Sequence, residues 1–197
     1  MADGALMTVT RPGILLDRDG TIIVDHGYVG SVDRVEFIDG ALEAIASFNA
    51  AGVPVAVVTN QSGVARGLYG LGDVEKVHAH IASQLAACGA RIDLFAYCPY
   101  HPDGVVDAFS RTSDDRKPRP GMARAAAAAL GLNLRASWVV GDRPEDLGLA
   151  KAIGAAAVYL GDDAAAGPGV WAFPSLAAAA PFILAQLAAR SAEQVPA

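Results

Sequence analysis

The chain has 197 residues, enough for one domain with a substantial hydrophobic core. Its net charge of −6 argues against nucleic acid or an anionic membrane surface as the main partner. Two cysteines form no disulfide framework, so the composition favours a reducing compartment.

Short apolar, β-branched runs alternate with helical patterns along the chain. The runs predict strands at Ile14–Asp17, Val53–Thr59, Ile92–Cys98, Trp138–Gly141 and Ala155–Leu160. Helices are predicted at Ala41–Ala51, Asp73–Ala87, Pro120–Leu130, Pro144–Ile153 and Leu176–Ala189. This alternation indicates an α/β fold with a parallel sheet covered by helices on both faces.

The whole chain, residues 1–197, is expected to form a single domain, because it contains no internal repeat and no clear linker. Residues 1–11 and 191–197 are expected to be poorly ordered. The first twelve residues lack a basic segment followed by an apolar one, so we expect no signal peptide. The apolar stretch at residues 176–189 is too short to span a bilayer. We therefore expect a soluble cytoplasmic protein, with a monomer as the default.

Two aspartates, Asp17 and Asp19, come at the end of the first predicted strand, and Gly20 and Thr21 follow. Ligands of open α/β sheets bind just beyond the carboxyl ends of such strands. Two carboxylates are costly to bury there unless a cation or a reaction needs them. An ordinary Asp-Gly turn is the alternative, and this segment alone does not decide between the two.

Three further polar groups lie at the same edge of the predicted sheet. Strand two leads into Thr59-Asn60-Gln61-Ser62, and strand four leads into Gly141-Asp142-Arg143, with Asp146 shortly after. Arg116-Lys117 precedes the helix that follows strand three. Each group alone has an ordinary explanation as a turn cap, a helix-start acid or a solvated charge. Their coincidence at one edge favours a functional site.

Phosphoryl transfer is the chemistry that needs this set of residues. Asp17 and Asp142, on adjacent strands, suit Mg²⁺, and an aspartate can also be the nucleophile that forms an aspartyl-phosphate. Asp19 could protonate the leaving oxygen. Lys117 would neutralise the phosphoryl group, and Thr59 with the backbone amide of the next residue, Asn60, would hydrogen-bond its oxygens.

The pattern resembles the four motifs of the haloacid dehalogenase superfamily of phosphatases, in the family's order: Asp17-x-Asp19-Gly20-Thr21, Thr59, Lys117 and Gly141-Asp142-x-x-x-Asp146. The resemblance implies a Rossmann-like fold. It implies Asp17 as nucleophile and Asp19 as general acid and base. Thr59 and Lys117 would bind the phosphoryl group.

The same resemblance implies a Mg²⁺ site. Its ligands would be Asp17, Asp142 and the backbone carbonyl of Asp19. Asp146 would orient this site without binding the metal directly.

Longer strings resemble the branch of histidinol phosphatases and heptose bisphosphatases: Leu16–Thr21, Thr59–Gly63, Cys98-Pro99-x-His101-Pro102 and Arg116-Lys117-Pro118-x-Pro120-Gly121-Met122. The stretch Val24–Val29 is similar to the D-glycero-D-manno-heptose-1,7-bisphosphate 7-phosphatases rather than to histidinol phosphatases. In that family this stretch contacts the sugar, and Arg116 would hold the phosphate that is not cleaved, because guanidinium matches phosphate bidentately.

The resemblance thus implies a Mg²⁺-dependent enzyme without a large cap domain that removes the 7-phosphate of a small phosphorylated sugar, heptose 1,7-bisphosphate. Its implied substrate-binding residues are Asp25, His26, Gly27, Tyr28, Asn60, Gln61, Ser62, Arg116 and Arg143, where the last replaces the lysine usual in heptose enzymes. A histidinol-phosphate or other small-metabolite phosphatase is the first alternative. A non-catalytic phosphosugar-binding module is the second, although such a protein would be expected to lose the nucleophile or the acid.

One loop departs from this branch, in which three cysteines and a histidine usually hold a structural Zn²⁺. Cys98 remains, but Tyr100, Ser113 and Asp115 stand at the other three positions. A closed tetrahedral zinc site needs four ligands rich in nitrogen and sulfur. We therefore expect structural zinc to be absent, with a site rebuilt from Cys98, His101 and Asp115 as the alternative.

Overall fold

A six-stranded parallel sheet forms the centre of the computed structural model, which describes residues 10–161 and 167–193. Its strands are β1 (Ile14–Leu16), β2 (Val55–Asn60), β3 (Leu94–Cys98), β4 (Trp138–Gly141), β5 (Ala156–Leu160) and β6 (Val170–Phe173). The α-helices in these residues are α1 (Ala41–Ala50), α2 (Leu71–Ala87), α3 (Gly121–Leu130), α4 (Pro144–Ile153) and α5 (Leu176–Glu193). The strand order β3-β2-β1-β4-β5-β6 is the doubly wound Rossmann arrangement.

The sheet is buried on both faces because successive strand residues point to opposite sides and nearly all of them are apolar. Leu16 and Val57 belong to a core shared with α1, α2 and α5. Leu15 and Val58 belong to a second core, on the other face, shared with α3 and α4. The two cores hold the strands rigidly, so the carboxyl ends of the strands provide fixed positions for polar side chains.

The predicted alternation of strands and helices is confirmed, and most element ends differ by at most two residues from those predicted. The count of five strands is wrong, because Val170–Phe173 adds β6 at the edge beside β5. This strand is short and half-buried and follows a Gly-Pro-Gly segment, so its apolar run gave a weak signal. Trp171 and Phe173 pack against Phe182 of α5, with ring centroids 5.3 and 5.4 Å apart.

Both ends of the described chain make regular structure where we expected little order. Arg11 forms a parallel bridge with Leu132, and α5 continues as far as Glu193. Residues 1–9 and 194–197 lie outside the described residues. In residues 10–161 and 167–193, no helix has the length and apolar character needed to cross a membrane. The connections after β1 and β3 run as loops with short turns rather than as a separate cap domain.

His78 of α2 is buried against β3. Its ring stacks on Phe95 at 4.7 Å between centroids and meets the edge of Tyr97 at 5.6 Å. Its Nε2 has no hydrogen-bond partner among the described residues. Burial lowers the pKa of His78 to about 3, so the folded protein keeps this ring neutral.

We predict that His78 weakens the fold in mild acid. The ordinary pKa of His78 is 6.5. Below that pH the side chain is protonated in the unfolded chain, but in the folded protein it stays neutral down to about pH 3. At about pH 5 this difference amounts to about 2 kcal/mol. In urea unfolding at about pH 7 and about pH 5, His78→Phe, which keeps the stacked ring, should lose less stability than the wild type. The control His80→Phe should behave as the wild type, and an equal loss in all three proteins would contradict the prediction.

Candidate active site

The carboxyl ends of β1 and β4 lie side by side where the strand order reverses. β1 pairs with β2 on one side and with β4 on the other, so the loops after β1 and β4 leave in opposite directions and open a crevice. Asp17 directly follows β1, and its N–H donates to the carbonyl of Val140 at 2.9 Å. Asp142 directly follows β4. The doubly wound topology therefore places these two carboxylates next to each other.

A cleft of about 520 Å³ opens at this point. Most of the residues predicted for the site line it: Asp17, Asp19, Asp25, Gly27, Tyr28, Asn60, Gln61, Ser62, Arg116, Lys117 and Arg143. Tyr69, Pro144 and Glu145 also line it and were not predicted. Pro144 and Glu145 begin α4 directly after the motif, whereas no sequence pattern marked Tyr69.

Four predicted site residues do not line the cleft. Thr59 is buried beside it and accepts a hydrogen bond from Gln61 Nε2 at 3.0 Å. Asp142 and Asp146 lie with Asp17 in the acidic cluster described next. The fourth, His26, lies apart: its Nε2 is 2.8 Å from a Glu36 carboxylate oxygen in a different surface pocket. The geometry therefore does not bring His26 to the cleft as a sugar contact.

Asp17, Asp142 and Asp146 form a compact acidic cluster, with carboxylate oxygens within 4.8 Å of one another. The buried ammonium of Lys117 lies 3.0 Å from Asp17 Oδ1 and 2.6 Å from Asp146 Oδ1. Burial acts to lower the pKa of Lys117, but these two carboxylates outweigh burial and raise it. Lys117 therefore stays charged. Arg143 is a second cation at the cluster, with its Nε 3.5 Å from Asp142 Oδ2, so two positive charges face three carboxylates.

In this cluster, Asp142 has a carboxylate oxygen to which no described residue donates a hydrogen bond. Its Oδ1 is buried and has no hydrogen-bond partner among the described residues. Burial, with the nearby charge of Asp17, raises the pKa of Asp142 to about 6. Both oxygens of Asp146, by contrast, are used, by Lys117 and by the N–H of Arg143 at 3.0 Å. A carboxylate oxygen without a hydrogen-bond donor is a suitable ligand for a hard cation such as Mg²⁺. Asp17 and Asp142 are the two carboxylates placed to bind such a cation together.

Glycine at two positions allows the carboxylates to converge. Gly20 has a φ of 74°, and a Cβ there would overlap the Asp142 carboxylate. A Cβ on Gly141 would overlap the carboxylate of Asp146. The glycines of the Asp-x-Asp-Gly and Gly-Asp motifs are therefore required by close packing against the acids.

Asp19 stands apart from the acidic cluster and has its own donors. Arg18, which is fully buried, donates to it from Nε at 3.1 Å and from Nη2 at 3.0 Å. Gln61 Nε2 donates to Asp19 Oδ2 at 2.9 Å. Burial raises the pKa of Asp19 in spite of the adjacent Arg18 guanidinium. This carboxyl lines the cleft, and its raised pKa suits a group that gives and takes protons.

Asn60 connects the end of β2 to the loop that carries Lys117. Its Oδ1 accepts from the N–H of Lys117 at 3.0 Å, and its Nδ2 donates to the carbonyl of Lys117 at 3.2 Å. The peptide bond between Lys117 and Pro118 is cis. The side chain of Asn60 therefore fixes the position of Lys117. The contact between its backbone amide and the phosphoryl group stays a prediction.

Two arginines line the cleft. Arg143 Nη2 is 2.5 Å from Asp25 Oδ2, so this ion pair joins the loop after β1 to the start of α4. Burial alone would raise the pKa of Asp25, but the N–H of Gly27 and the Arg143 guanidinium lower it. Arg116 lines the cleft, and its buried Nη1 has no hydrogen-bond partner among the described residues.

The loop after β3 is held by packing around Tyr100. The Arg111 guanidinium carbon lies 4.1 Å from the centroid of the Tyr100 ring, and the ring of Phe109 lies 5.9 Å away. Cys98 Sγ is 3.8 Å from the carbonyl oxygen of Tyr100. Among the described residues, Cys98, His101 and Asp115 do not come together as a group of metal ligands.

We predict that Mg²⁺ stabilises the protein through Asp142. At about 100 times its dissociation constant, Mg²⁺ should raise the free energy of unfolding by about 2.7 kcal/mol. Asp142→Asn should lose most of that gain, yet without Mg²⁺ it should melt no lower than the wild type, because it removes a poorly compensated buried charge. Thermal unfolding with and without Mg²⁺ measures both effects.

The exposed Asp107 offers a matched control, since Asp107→Asn removes a carboxylate far from the cluster. It should keep the full response to Mg²⁺. A full response in Asp142→Asn as well would place the metal elsewhere.

Comparison with known proteins agrees with this geometry. Residues 115–166 match the family model described as HAD-hydrolase-like. The D-glycero-β-D-manno-heptose-1,7-bisphosphate 7-phosphatase of Escherichia coli K12 is 44% identical over 146 residues, which are 74% of this chain and 76% of that protein.

Solved structures give the same relationship. A HAD-like phosphatase structure from Mesorhizobium loti is 36% identical, with a TM-score of 0.81 over 90% of this chain and 86% of that one. The D,D-heptose 1,7-bisphosphate phosphatase of B. bronchiseptica, complexed with magnesium and phosphate, is 32% identical, with a TM-score of 0.79 over 89% of this chain and 99% of that one. The chain therefore belongs to the heptose-1,7-bisphosphate 7-phosphatase family of haloacid-dehalogenase-like hydrolases.

Proposed function

We propose that this protein is a Mg²⁺-dependent phosphatase that removes the 7-phosphate of D-glycero-D-manno-heptose 1,7-bisphosphate through an aspartyl-phosphate. The observation that carries the proposal is the convergence of Asp17, Asp142 and Lys117 at the cleft, with Asp19 held separately by its own donors. The names of the relatives support the substrate.

In the first step, a carboxylate oxygen of Asp17 attacks phosphorus and the bond from phosphorus to the sugar oxygen breaks. Asp19 gives its proton to that leaving oxygen. Water then attacks the aspartyl-phosphate while Asp19 takes a proton from it. Inorganic phosphate leaves, and the Asp17 carboxylate is restored.

The phosphoryl group meets positive charge and hydrogen-bond donors at this end of the cleft. Lys117 is held beside the nucleophile by Asp146. Thr59 Oγ1 accepts from Gln61, so its own hydroxyl proton is available to a phosphoryl oxygen. Mg²⁺, when bound by Asp17 and Asp142 together with the Asp19 carbonyl, would offset negative charge on the phosphoryl oxygens.

The rest of the cleft would hold the sugar and its second phosphate. Asp25, Gly27 and Tyr28 are among the residues that line the cleft, and Arg143 fixes the carboxylate of Asp25. The buried Nη1 of Arg116, without a partner among the described residues, is a donor suited to the phosphate that is not cleaved. A cleft of about 520 Å³ is of the size that small-molecule ligands occupy.

We predict that Arg116 gives the enzyme its preference for the bisphosphate. The wild type should hydrolyse heptose 1,7-bisphosphate with a kcat/KM well above that for heptose 7-phosphate or histidinol phosphate. Arg116→Met should lower kcat/KM for the bisphosphate about 10- to 100-fold, the size expected for a lost charged hydrogen bond, and should change the monophosphate values little. Phosphate release measures all of these rates.

The neighbouring Arg119 offers a matched control, because it lies outside the cleft and donates to the carbonyl of Ser113. Arg119→Met should keep the wild-type preference. Asp17→Asn should abolish phosphate release from all three substrates. That result would also exclude a contaminating phosphatase as the source of the measured rates. Fast turnover of histidinol phosphate with none of the heptose bisphosphate would contradict the proposed substrate.

The absence of structural zinc stays a prediction. The packing of Arg111 and Phe109 on Tyr100 supports it, since these contacts are available to order the loop without metal. Elemental analysis of protein purified without added metal should find far less than one zinc per chain. About one zinc per chain would overturn the prediction.

The monomer and the cytoplasmic location also stay predictions. Both cysteines are unpaired, which is typical of a reducing compartment. The net charge of −6 supports a small-molecule substrate rather than nucleic acid or an anionic membrane.

A further inference from the structure

Tyr69 occupies a slot that two glycines leave open for it. A Cβ on Gly30 would overlap the Tyr69 ring, and so would a Cβ on Gly63. Gly30 lies in the loop after β1 and Gly63 in the loop after β2, so this ring packs between the two loops that border the cleft. The ring also lines the cleft. The close fit leaves it little freedom to move.

The Tyr69 hydroxyl has a defined direction. Its oxygen faces the backbone N–H of Gly63, which acts to lower the pKa of Tyr69. Its own proton is directed to Gln61 Oε1, at 2.8 Å between oxygens. Burial raises the pKa of Tyr69 to about 12, so the hydroxyl keeps this proton near neutral pH.

Tyr69 holds the oxygen of the Gln61 amide in place by this hydrogen bond. Gln61 Oε1 accepts from Tyr69 and from Arg18 Nη2, at 3.0 Å for the latter. Gln61 Nε2 donates to Asp19 Oδ2 at 2.9 Å and to Thr59 Oγ1 at 3.0 Å. A reversed amide would set its NH₂ against the Arg18 guanidinium, which can only donate, and its oxygen against the Asp19 carboxylate, so the reversed orientation is excluded.

We propose that Tyr69 is a positioning residue for proton transfer: through Gln61 it holds the Asp19 carboxyl at the cleft, where the leaving oxygen departs. The inference rests on the proposed function, in which Asp19 protonates that oxygen. Tyr69 itself contacts neither Asp19 nor the acidic cluster by any hydrogen bond among the described residues.

A comparison of two leaving groups distinguishes a role of Tyr69 in positioning the acid from a general role in stabilising the fold. A sugar alcohol is a poor leaving group and needs the proton from Asp19, whereas the acidic phenol of p-nitrophenyl phosphate departs with little help. A loosened Gln61 should therefore slow cleavage of the sugar phosphate much more than cleavage of the aryl phosphate.

The test is Tyr69→Phe, which keeps the ring in its slot and removes only the hydroxyl. With enzyme in excess, the single-turnover rate of alcohol release should fall about three- to tenfold for heptose 1,7-bisphosphate, the size of one lost hydrogen bond. The rate for p-nitrophenyl phosphate should fall less than about twofold. Tyr97→Phe is the matched control, because its hydroxyl pairs with Glu75 outside the cleft, and it should leave both rates unchanged.

A double-mutant cycle tests whether Tyr69 acts through Gln61. In a Gln61→Leu background, Tyr69→Phe should cause no further loss, because the amide that Tyr69 holds in place is gone. Fully additive losses would overturn the inference. So would equal slowing of the two substrates, or a raised KM with an unchanged rate of release. If Gln61→Leu does not fold, the comparison of leaving groups decides alone.

The two proposals fail in different ways. If the wild type releases phosphate from neither substrate, or if Asp17→Asn still does, the proposed function is wrong. If the wild type cleaves both substrates, Asp17→Asn cleaves neither and Tyr69→Phe behaves as the wild type, only the positioning role of Tyr69 is wrong.

Discussion

The buried ion cluster around Lys117 is the constraint on which the rest of the site depends. A fully buried ammonium is stable only with compensating charge, and Asp17 and Asp146 supply it at 3.0 and 2.6 Å. Asp142 adds a third carboxylate that no described donor balances at Oδ1. The cluster is therefore short of positive charge, and a divalent cation is the group that removes the deficit.

Several local features follow from holding these charges together. Gly20 and Gly141 leave room for the carboxylates of Asp142 and Asp146. Asn60 binds both backbone groups of Lys117 and so fixes the loop from which the ammonium reaches the acids. The start of α4 depends on the same cluster, because Asp146 Oδ2 accepts the N–H of Arg143.

The site gives the proposed nucleophile, Asp17, and the proposed proton donor, Asp19, separate environments. Asp17 and Asp146 share Lys117, whereas Asp19 is held by Arg18 and Gln61. Two neighbouring aspartates thus have different environments, and burial raises the pKa of Asp19 although Arg18 contacts it. Substrate selection would depend on the loops after β1 and β3, which border the cleft in place of a cap domain.

The sequence determined the β–α alternation, the parallel sheet and the acids at its edge, because strand periodicity and strand ends are local patterns. It could not identify Tyr69, since nothing local marks a ring whose slot is formed by Gly30 and Gly63 on two different loops. Nor could it separate His26, which lies outside the cleft, from Asp25 and Tyr28, which line it. The pairing of β1 with β4 confirms the predicted adjacency of Asp17 and Asp142. The distinctions that the sequence missed depend on the paths of the loops, which only long-range packing fixes.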